Sequence, residues 1–252
     1  MANIRVAVSG ALGRMGSETV LAITGADDLD LVLKADRGDD LSAELARIKP
    51  DAIVDFSVPE AAMGNIEAAL SNKVVPIVGT TGMSLADLDT VRGWCKQYDT
   101  GALIAPNFAI GAVLLMQFCK QAAQYMPDVE VIEMHHERKL DAPSGTATKT
   151  AEMIAEGRQL AKPTALPADA FEKIAGSRGG KAADDIPVHS IRLPGFVASQ
   201  MVIFGGLGQT LTIRHDSIDR KSFMPGVLLA ARQARILAAN GGELVYGLEN
   251  IL

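Results

Sequence analysis

Val8-Ser9-Gly10-Ala11-Leu12-Gly13-Arg14-Met15-Gly16 decides how the rest of the chain is read. A short apolar run, Ile4 to Val8, leads into it, and residues 14–25 beyond it have a helical pattern. Glycines at G-x-x-G-x-x-G let a backbone turn tightly and approach a pyrophosphate, while the helix N-terminus offers N–H donors. The spacing departs from G-x-G-x-x-G, since Leu12 stands near the place of the second glycine, and a ligand-free turn would use the same residues. Position argues for the ligand, because the motif follows a strand and opens a helix. Asp36 ends the second apolar strand, Leu29 to Ala35, where an acid meets the ribose hydroxyls of a dinucleotide. Arg37, next to it, suits a 2′-phosphate, so NADH and NADPH both stand as cofactors.

Working outward, Ala52–Phe56, Val74–Val78 and Leu103–Ala105 read as further strands. Helices begin at Pro59, tolerated in a first helical turn, and at Ser84, with Asp87 three positions on as a weaker form of the capping box. Strands separated by helices of this length give βαβ units and a parallel sheet. Their nearly continuous apolar character fits a sheet covered on both faces. Ligands of such sheets lie beyond the carboxyl ends of the strands. Gly79-Thr80-Thr81-Gly82 and Ala105-Pro106-Asn107-Phe108 occupy two such ends, although ordinary turns use these residue types too.

After residue 109 the pattern changes. Residues 110–125 read as a long apolar helix, Val129–His136 as a strand and Gly145–Ala155 as a helix. Residues 161–185, with Pro163, Pro167, Gly176, Gly179 and Gly180, read as a loop. Ala198–Phe204 and Gln209–His215 form a hairpin around Gly205, Gly206 and Gly208. Its alternating Val202, Phe204, Leu211 and Ile213 suit either an interface or packing within the domain. Strand-rich sequence after βαβ sequence implies a second, α+β domain. The last 30 residues read as helical, from Phe223 to Ala239, and fit either domain.

Composition bounds the function. With 48% hydrophobic and 21% charged residues, the 252-residue chain has ordinary globular usage, which argues against disorder and coiled coil. The net charge of −6 offers no basic field for nucleic acid. Cys95 and Cys119 form no C-x-x-C pair or zinc set, and two isolated cysteines suit a reducing compartment. No apolar run is long enough for a membrane span, and Arg14 and Glu18 interrupt the place of a signal peptide. The expectation is a cytoplasmic protein without membrane or nucleic-acid partners.

The densest polar cluster is Glu133-Met134-His135-His136-Glu137-Arg138-Lys139-Leu140-Asp141-Ala142-Pro143-Ser144-Gly145-Thr146-Ala147. Histidine exchanges protons near neutrality. Lysine gives a cation for a carboxylate or a proton for a nitrogen. Ser144-Gly145-Thr146, starting a helix, would present N–H groups to a carboxylate. Together these suit a dianionic or dicarboxylate substrate. Against this, Ser144 can be a simple helix cap. Adjacent strand residues also point to opposite faces, so His135 and His136 share a role only if the strand ends there. The histidine pair lacks a third metal ligand, so no metal is expected, and His215 reads as structural.

GALGRMG, GTTG, APNF, HHERKLDAPSGTA, RHD and SFMPGVLLAAR, in order from residue 10 to residue 232, resemble the 4-hydroxy-tetrahydrodipicolinate reductase (dihydrodipicolinate reductase) family of lysine and diaminopimelate biosynthesis. HHERKLDAPSGTA is the most specific of them. The resemblance implies an NAD(P)H-dependent oxidoreductase with a Rossmann-like parallel-sheet nucleotide domain, residues 1–107 and 218–252. A smaller α+β substrate and tetramerisation domain with a mixed sheet, residues 108–217, would complete a homotetramer. The final helix joins the nucleotide domain by this likeness alone. Gly10, Ala11, Leu12, Gly13, Arg14 and Met15 would cradle the pyrophosphate, and Asp36 would bind the ribose, with Arg37 favouring tolerance of NADPH. Gly79, Thr80, Thr81, Ala105, Pro106, Asn107 and Phe108 would line the nicotinamide pocket. His135 would exchange the proton and Lys139 would act at the ring nitrogen. His136, Gly145 and Thr146, with Ser144 opening their helix, would hold the substrate carboxylates. Domain closure would bring hydride donor and acceptor together.

Ser199-Gln200-Met201 departs from the family, many members of which carry histidine or glutamate before the V-I-F strand. Altered packing or interdomain contacts are expected there. Two other readings stand beside this one: another NAD(P)-dependent oxidoreductase of a small carboxylated imine or carbonyl compound, and a non-catalytic NAD(P)-binding sensor.

Overall fold

The computed structural model describes residues 2–158, 161–165 and 167–252, and divides into two units, residues 1–110 with 220–252 and residues 111–219. In the first unit the chain runs β1 (Ile4–Ser9), α1 (Arg14–Thr24), β2 (Leu29–Ala35), α2 (Leu41–Ile48), β3 (Ala52–Asp55), α3 (Pro59–Ser71), β4 (Val75–Val78), α4 (Leu85–Gln97) and β5 (Ala102–Ile104). It returns after the second unit as α7 (Met224–Arg232), α8 (Ala234–Ala238) and β11 (Leu244–Tyr246). Six parallel strands lie in the order β11-β5-β4-β3-β1-β2. The strand order reverses beside β1, and ligands of doubly wound sheets bind outside the carboxyl ends at such a point. The four residues of β3 and of β4 are all buried, which explains why these strands read as continuous apolar runs.

The second unit contains α5 (Ile110–Ala123, entered from the first unit), β6 (Asp128–His135), α6 (Gly145–Gly157), β7 (Gly180–Lys181), β8 (Pro187–Arg192), β9 (Ala198–Gly206) and β10 (Gln209–Ser217). Its sheet has the order β10-β9-β6-β8-β7 and is mixed, since β6 and β8 are parallel while the other pairs are antiparallel. Buried Gln200 on β9 donates to Thr150 Oγ1 on α6 at 2.7 Å, tying helix to sheet. Gly157 lets α6 approach α5: a Cβ there would lie 2.2 Å from the Lys120 carbonyl oxygen.

Several expectations need correction. Residues 161–185 are not loop throughout, since β7 and a short 3-10 turn at Ala183–Asp185 lie within them; residue 166 is outside the described residues. The C-terminal segment is not uniformly helical. Its helix breaks at Gln233 into α7 and α8, and Leu244–Tyr246 is a strand paired with β5. The elements α2 and β8 were not anticipated. In α2 only Leu45 is buried, so eight residues give a weak periodic signal. Ser199 is buried, and its hydroxyl bonds Asp216, directly opposite it on β10, so the departure from the family pattern is accommodated within the sheet. Val202 and Phe204 are fully buried within the unit, while Leu211 and Ile213 opposite them are more open.

Candidate functional site

In the first unit the glycine turn joins β1 to α1. Gly10 has φ +71°, a left-handed conformation that favours glycine, and a Cβ there would lie 2.5 Å from the Phe56 carbonyl oxygen. Gly16 packs against the same turn, where a Cβ would come within 1.9 Å of the Gly10 oxygen. No side chain caps α1 and no acid stands in its first turn, whereas Asp40, Ser84 and Ser144 cap α2, α4 and α6. An uncapped helix start after a tight glycine turn has the form of an anion site, at which the oxygens of a pyrophosphate would take the place of a cap. Leu12 projects into solvent, 84% exposed.

Asp36 follows β2, and its Oδ2 accepts a hydrogen bond from the Leu12 N–H at 2.8 Å. Its Oδ1 accepts from the Arg37 N–H at 2.8 Å. These two backbone donors hold its carboxyl below the usual carboxylate range. A negative charge is thereby fixed beside the glycine turn, with the exposed Arg37 next to it.

The loops after β3 and β4 are tied together by Asp55, which is 2% exposed. Asp55 Oδ1 accepts from Ser57 N–H at 2.9 Å, Ser57 Oγ at 2.7 Å and Thr80 Oγ1 at 2.8 Å. Its Oδ2 accepts from Asn65 Nδ2 at 2.6 Å. Phe56 fills the space beside Gly79, where a Cβ would lie 2.1 Å from its ring, and meets Phe108 edge to face at 5.8 Å. Gly79, Thr80 and Thr81 after β4, and Ala105, Pro106, Asn107 and Phe108 after β5, are thus held around one aromatic pair. Neither Asp55 nor Phe56 was singled out in the sequence; the end of the third strand, Asp55-Phe56-Ser57, was the available signal.

In the second unit, β6 ends at His135, so His136 lies just beyond the strand. Glu133 and His135 are two apart on β6 and share a face. Glu133 is fully buried, and its Oε2 lies 2.5 Å from His135 Nδ1. Parallel pairing with β8 sets Arg192 opposite His135 and Ser190 opposite Glu133. Arg192 Nη1 donates to Glu133 Oε2 at 2.8 Å and Nη2 to Oε1 at 2.7 Å. Desolvation raises the Glu133 pKa, but bonds from His135, Arg192 and Ser190 outweigh it and bring the carboxyl down to about 2.

The loop after β6 returns to the same carboxylate. Ser144 N–H donates to Glu133 Oε1 at 3.2 Å, and Ser144 Oγ caps α6 by accepting from Ala147 N–H at 3.2 Å. The serine therefore serves the helix start itself, and exposed Gly145 begins the first turn of α6. Lys139 Nζ donates to both oxygens of Asp141, at 2.8 and 2.9 Å, and the Asp141 carbonyl accepts from Arg192 Nη2 at 2.8 Å. His136 Nδ1 is buried without a protein partner. His135, His136, Lys139, Ser144, Gly145 and Thr146 thus lie along one connected turn. His215 is elsewhere in the unit, against Gly111, and burial lowers its pKa. A cavity of about 780 Å³ sits at the other end of β6, around Asp128, Arg158 and Phe171, and shares no residue with this cluster. Among the described residues no group of histidine, cysteine, aspartate and glutamate is arranged to hold a metal ion, and no helix is long and apolar enough to cross a membrane.

The parallel Rossmann-like sheet followed by a mixed-sheet unit, together with the comparisons below, marks the chain as an NAD(P)H-dependent oxidoreductase. Residues 4–108 match the family model for the N-terminus of dihydrodipicolinate reductase, and residues 111–252 match that for its C-terminus. The chain belongs to the dihydrodipicolinate reductase family. It is 48% identical, over 274 aligned positions covering all of both chains, to the 4-hydroxy-tetrahydrodipicolinate reductase of Desulfitobacterium hafniense. It is also 48% identical to that of Listeria innocua, with 99% of this chain and 100% of the relative covered. A dipicolinate-bound dihydrodipicolinate reductase from Paenisporosarcina sp. TG-14 superposes with a TM-score of 0.87 at 41% identity, covering 99% of this chain and 100% of that one. A probable dehydrogenase from Thermotoga maritima, 13% identical with a TM-score of 0.60, shares the fold alone.

Proposed function

We propose that the chain reduces 4-hydroxy-tetrahydrodipicolinate to tetrahydrodipicolinate with NADH or NADPH. The observation that carries this reading is the single turn from His135 to Thr146, which gathers an imidazole, an ammonium and a helix start at the end of β6. A ring with two carboxylates matches that set, and the Paenisporosarcina relative was solved with such a molecule, dipicolinate.

Residues 10–15, Asp36 and Arg37 hold the adenosine and pyrophosphate portions of the cofactor. Residues 79–81 and 105–108 receive the nicotinamide. The cofactor, when bound, supplies the hydride. Loss of water from the hydroxylated ring leaves a conjugated imine, and hydride addition at its far end leaves an enamine that needs a proton at carbon. His135 gives that proton, and Lys139 stabilises or protonates the ring nitrogen. For this, the ammonium must exchange part of its contact with Asp141 for substrate. His136, Gly145 and Thr146 bind the carboxylates. The first unit is the nucleotide domain, and the second carries substrate binding and the contacts of a homotetramer. The protein works in the cytoplasm as a step of lysine and diaminopimelate biosynthesis.

The test is oxidation of NADH and NADPH with substrate made in situ by a coupled synthase. Oxidation that depends on the synthase is expected. Cofactor binding without such turnover would sink the assignment and favour another imine or carbonyl acid, or a sensor.

A further inference from the structure

We infer that Glu133 is a positioning residue for the proton transfer: it keeps a hydrogen on His135 Nδ1, so that Nε2 is the nitrogen exchanging a proton with substrate. This rests on the assignment of that transfer to His135.

The geometry admits one arrangement of hydrogens. Between a carboxylate oxygen and a ring nitrogen 2.5 Å apart, the nitrogen must donate. Glu133 is held as an acceptor on every side. Arg192 donates to both oxygens, and the Ser144 N–H reaches Oε1. The carboxylate is fully buried and braced by this fork, so it cannot swing away from the ring. Imidazolium carries hydrogen on both nitrogens. Loss of the Nε2 proton to substrate carbon leaves the neutral ring with its remaining hydrogen on Nδ1, the tautomer that Glu133 favours. Solvent then returns a proton to Nε2. A carboxylate that orients an imidazole and selects its tautomer is a recurrent device of acid–base sites.

The same carboxylate joins the two proposed reacting groups. Arg192 bridges from Glu133 to the Asp141 carbonyl, and the Asp141 carboxylate holds Lys139. One continuous series, His135–Glu133–Arg192–Asp141–Lys139, therefore sets the spacing of imidazole and ammonium. A purely structural Glu133–Arg192 pair would give stability without any effect on the ring of His135.

The experiment uses the full chain and two variants, Glu133→Gln and Glu133→Asp. Glu133→Asp keeps a charge for Arg192 and withdraws it from His135 by about 1.5 Å, one carbon–carbon bond. Long-range ¹⁵N–¹H spectra of the histidine rings, with the His135 signals assigned by their loss in His135→Gln, report the tautomer. The parent is expected to show neutral His135 protonated at Nδ1, and each folded variant to lose that preference. kcat should fall roughly 10- to 1000-fold, with NADH affinity unchanged. If Glu133→Gln fails to fold, Glu133→Asp carries the test. A folded variant with the parental tautomer and parental kcat overturns the proposal. A parent without turnover, yet with the Nδ1 tautomer that Glu133→Asp abolishes, would overturn the substrate assignment and leave the positioning role standing.

Discussion

Thr80 Oγ1 donates a hydrogen bond to Asp55 Oδ1 at 2.8 Å, so the loop after β4 is fastened to the end of β3 by a buried carboxylate. Ser57 and Asn65 donate to the same group, and three segments beside the proposed nicotinamide site therefore share one acceptor. Asp55→Ala would leave these donors facing an empty space. The expected loss is about 2–4 kcal/mol of stability, from unsatisfied buried polar groups. NADH affinity should also weaken as Thr80 is released. Urea unfolding and a fluorescence titration with NADH measure the two effects; unchanged values in both would show that Asp55 organises nothing.

Two kinds of glycine predict opposite outcomes. Gly64 in α3 and Gly93 in α4 are exposed, and a Cβ at either meets nothing within 4 Å. Gly64→Ala and Gly93→Ala should each stabilise the protein by roughly 0.5–1 kcal/mol, through helix propensity. Gly16→Ala must instead push a methyl group to 1.9 Å from the Gly10 oxygen, which is backbone and cannot step aside. That variant should melt well below the parent and bind NADH poorly. Melting curves of the three variants decide the matter.

Acid should act through Glu133. Its folded-state pKa of about 2 lies below the ordinary value of 4.5, so the unfolded chain takes up its proton first as pH falls. The stability it contributes is whole above pH 4.5 and is lost progressively down to about pH 2. Asp28, Asp36, Asp141 and Asp216, also shifted down, add to the same slope. Denaturant midpoints measured across this window should fall less steeply in Glu133→Gln than in the parent. Equal slopes would mean that Glu133 does not contribute.

Cofactor choice should turn on neighbours of opposite charge. Asp36 is pinned beside the glycine turn by two backbone donors, and exposed Arg37 next to it is the cation that the proposed cofactor site offers to a 2′-phosphate. Arg37→Ala is expected to lower kcat/KM for NADPH about tenfold, with the NADH value nearly unchanged. Steady-state rates with both cofactors check this, and an equal loss with each would remove Arg37 from the discrimination.

The fold was legible where one short-range signal suffices. Leu29–Ala35 is a strand at its expected bounds, Ser84 and Asp87 form both bonds of the capping box, and the glycine turn joins strand to helix as read. What escaped depends on partners distant in sequence. Leu244–Tyr246 is a strand only because β5 lies beside it, and β8 owes its place to pairing between β6 and β7. In the candidate site, His135 and Lys139 stood out as residue types. Glu133 was quoted in the same cluster yet passed over, although its spacing of two from His135 on a strand puts both side chains on one face. Arg192, 59 residues from Glu133, comes into view only through the register of β6 with β8.

The pairing of β11 with β5 orders events in the cell. Residues 111–219 are complete before β11 leaves the ribosome, while the sheet of the first unit keeps an open flank beside β5 until residues 244–246 arrive. Until then the backbone of β5 offers unpaired hydrogen-bonding groups to any passing strand. A chain whose β11 has not yet docked is therefore most exposed to misassociation along the β5 edge, and the pairing of residues 244–246 closes that window.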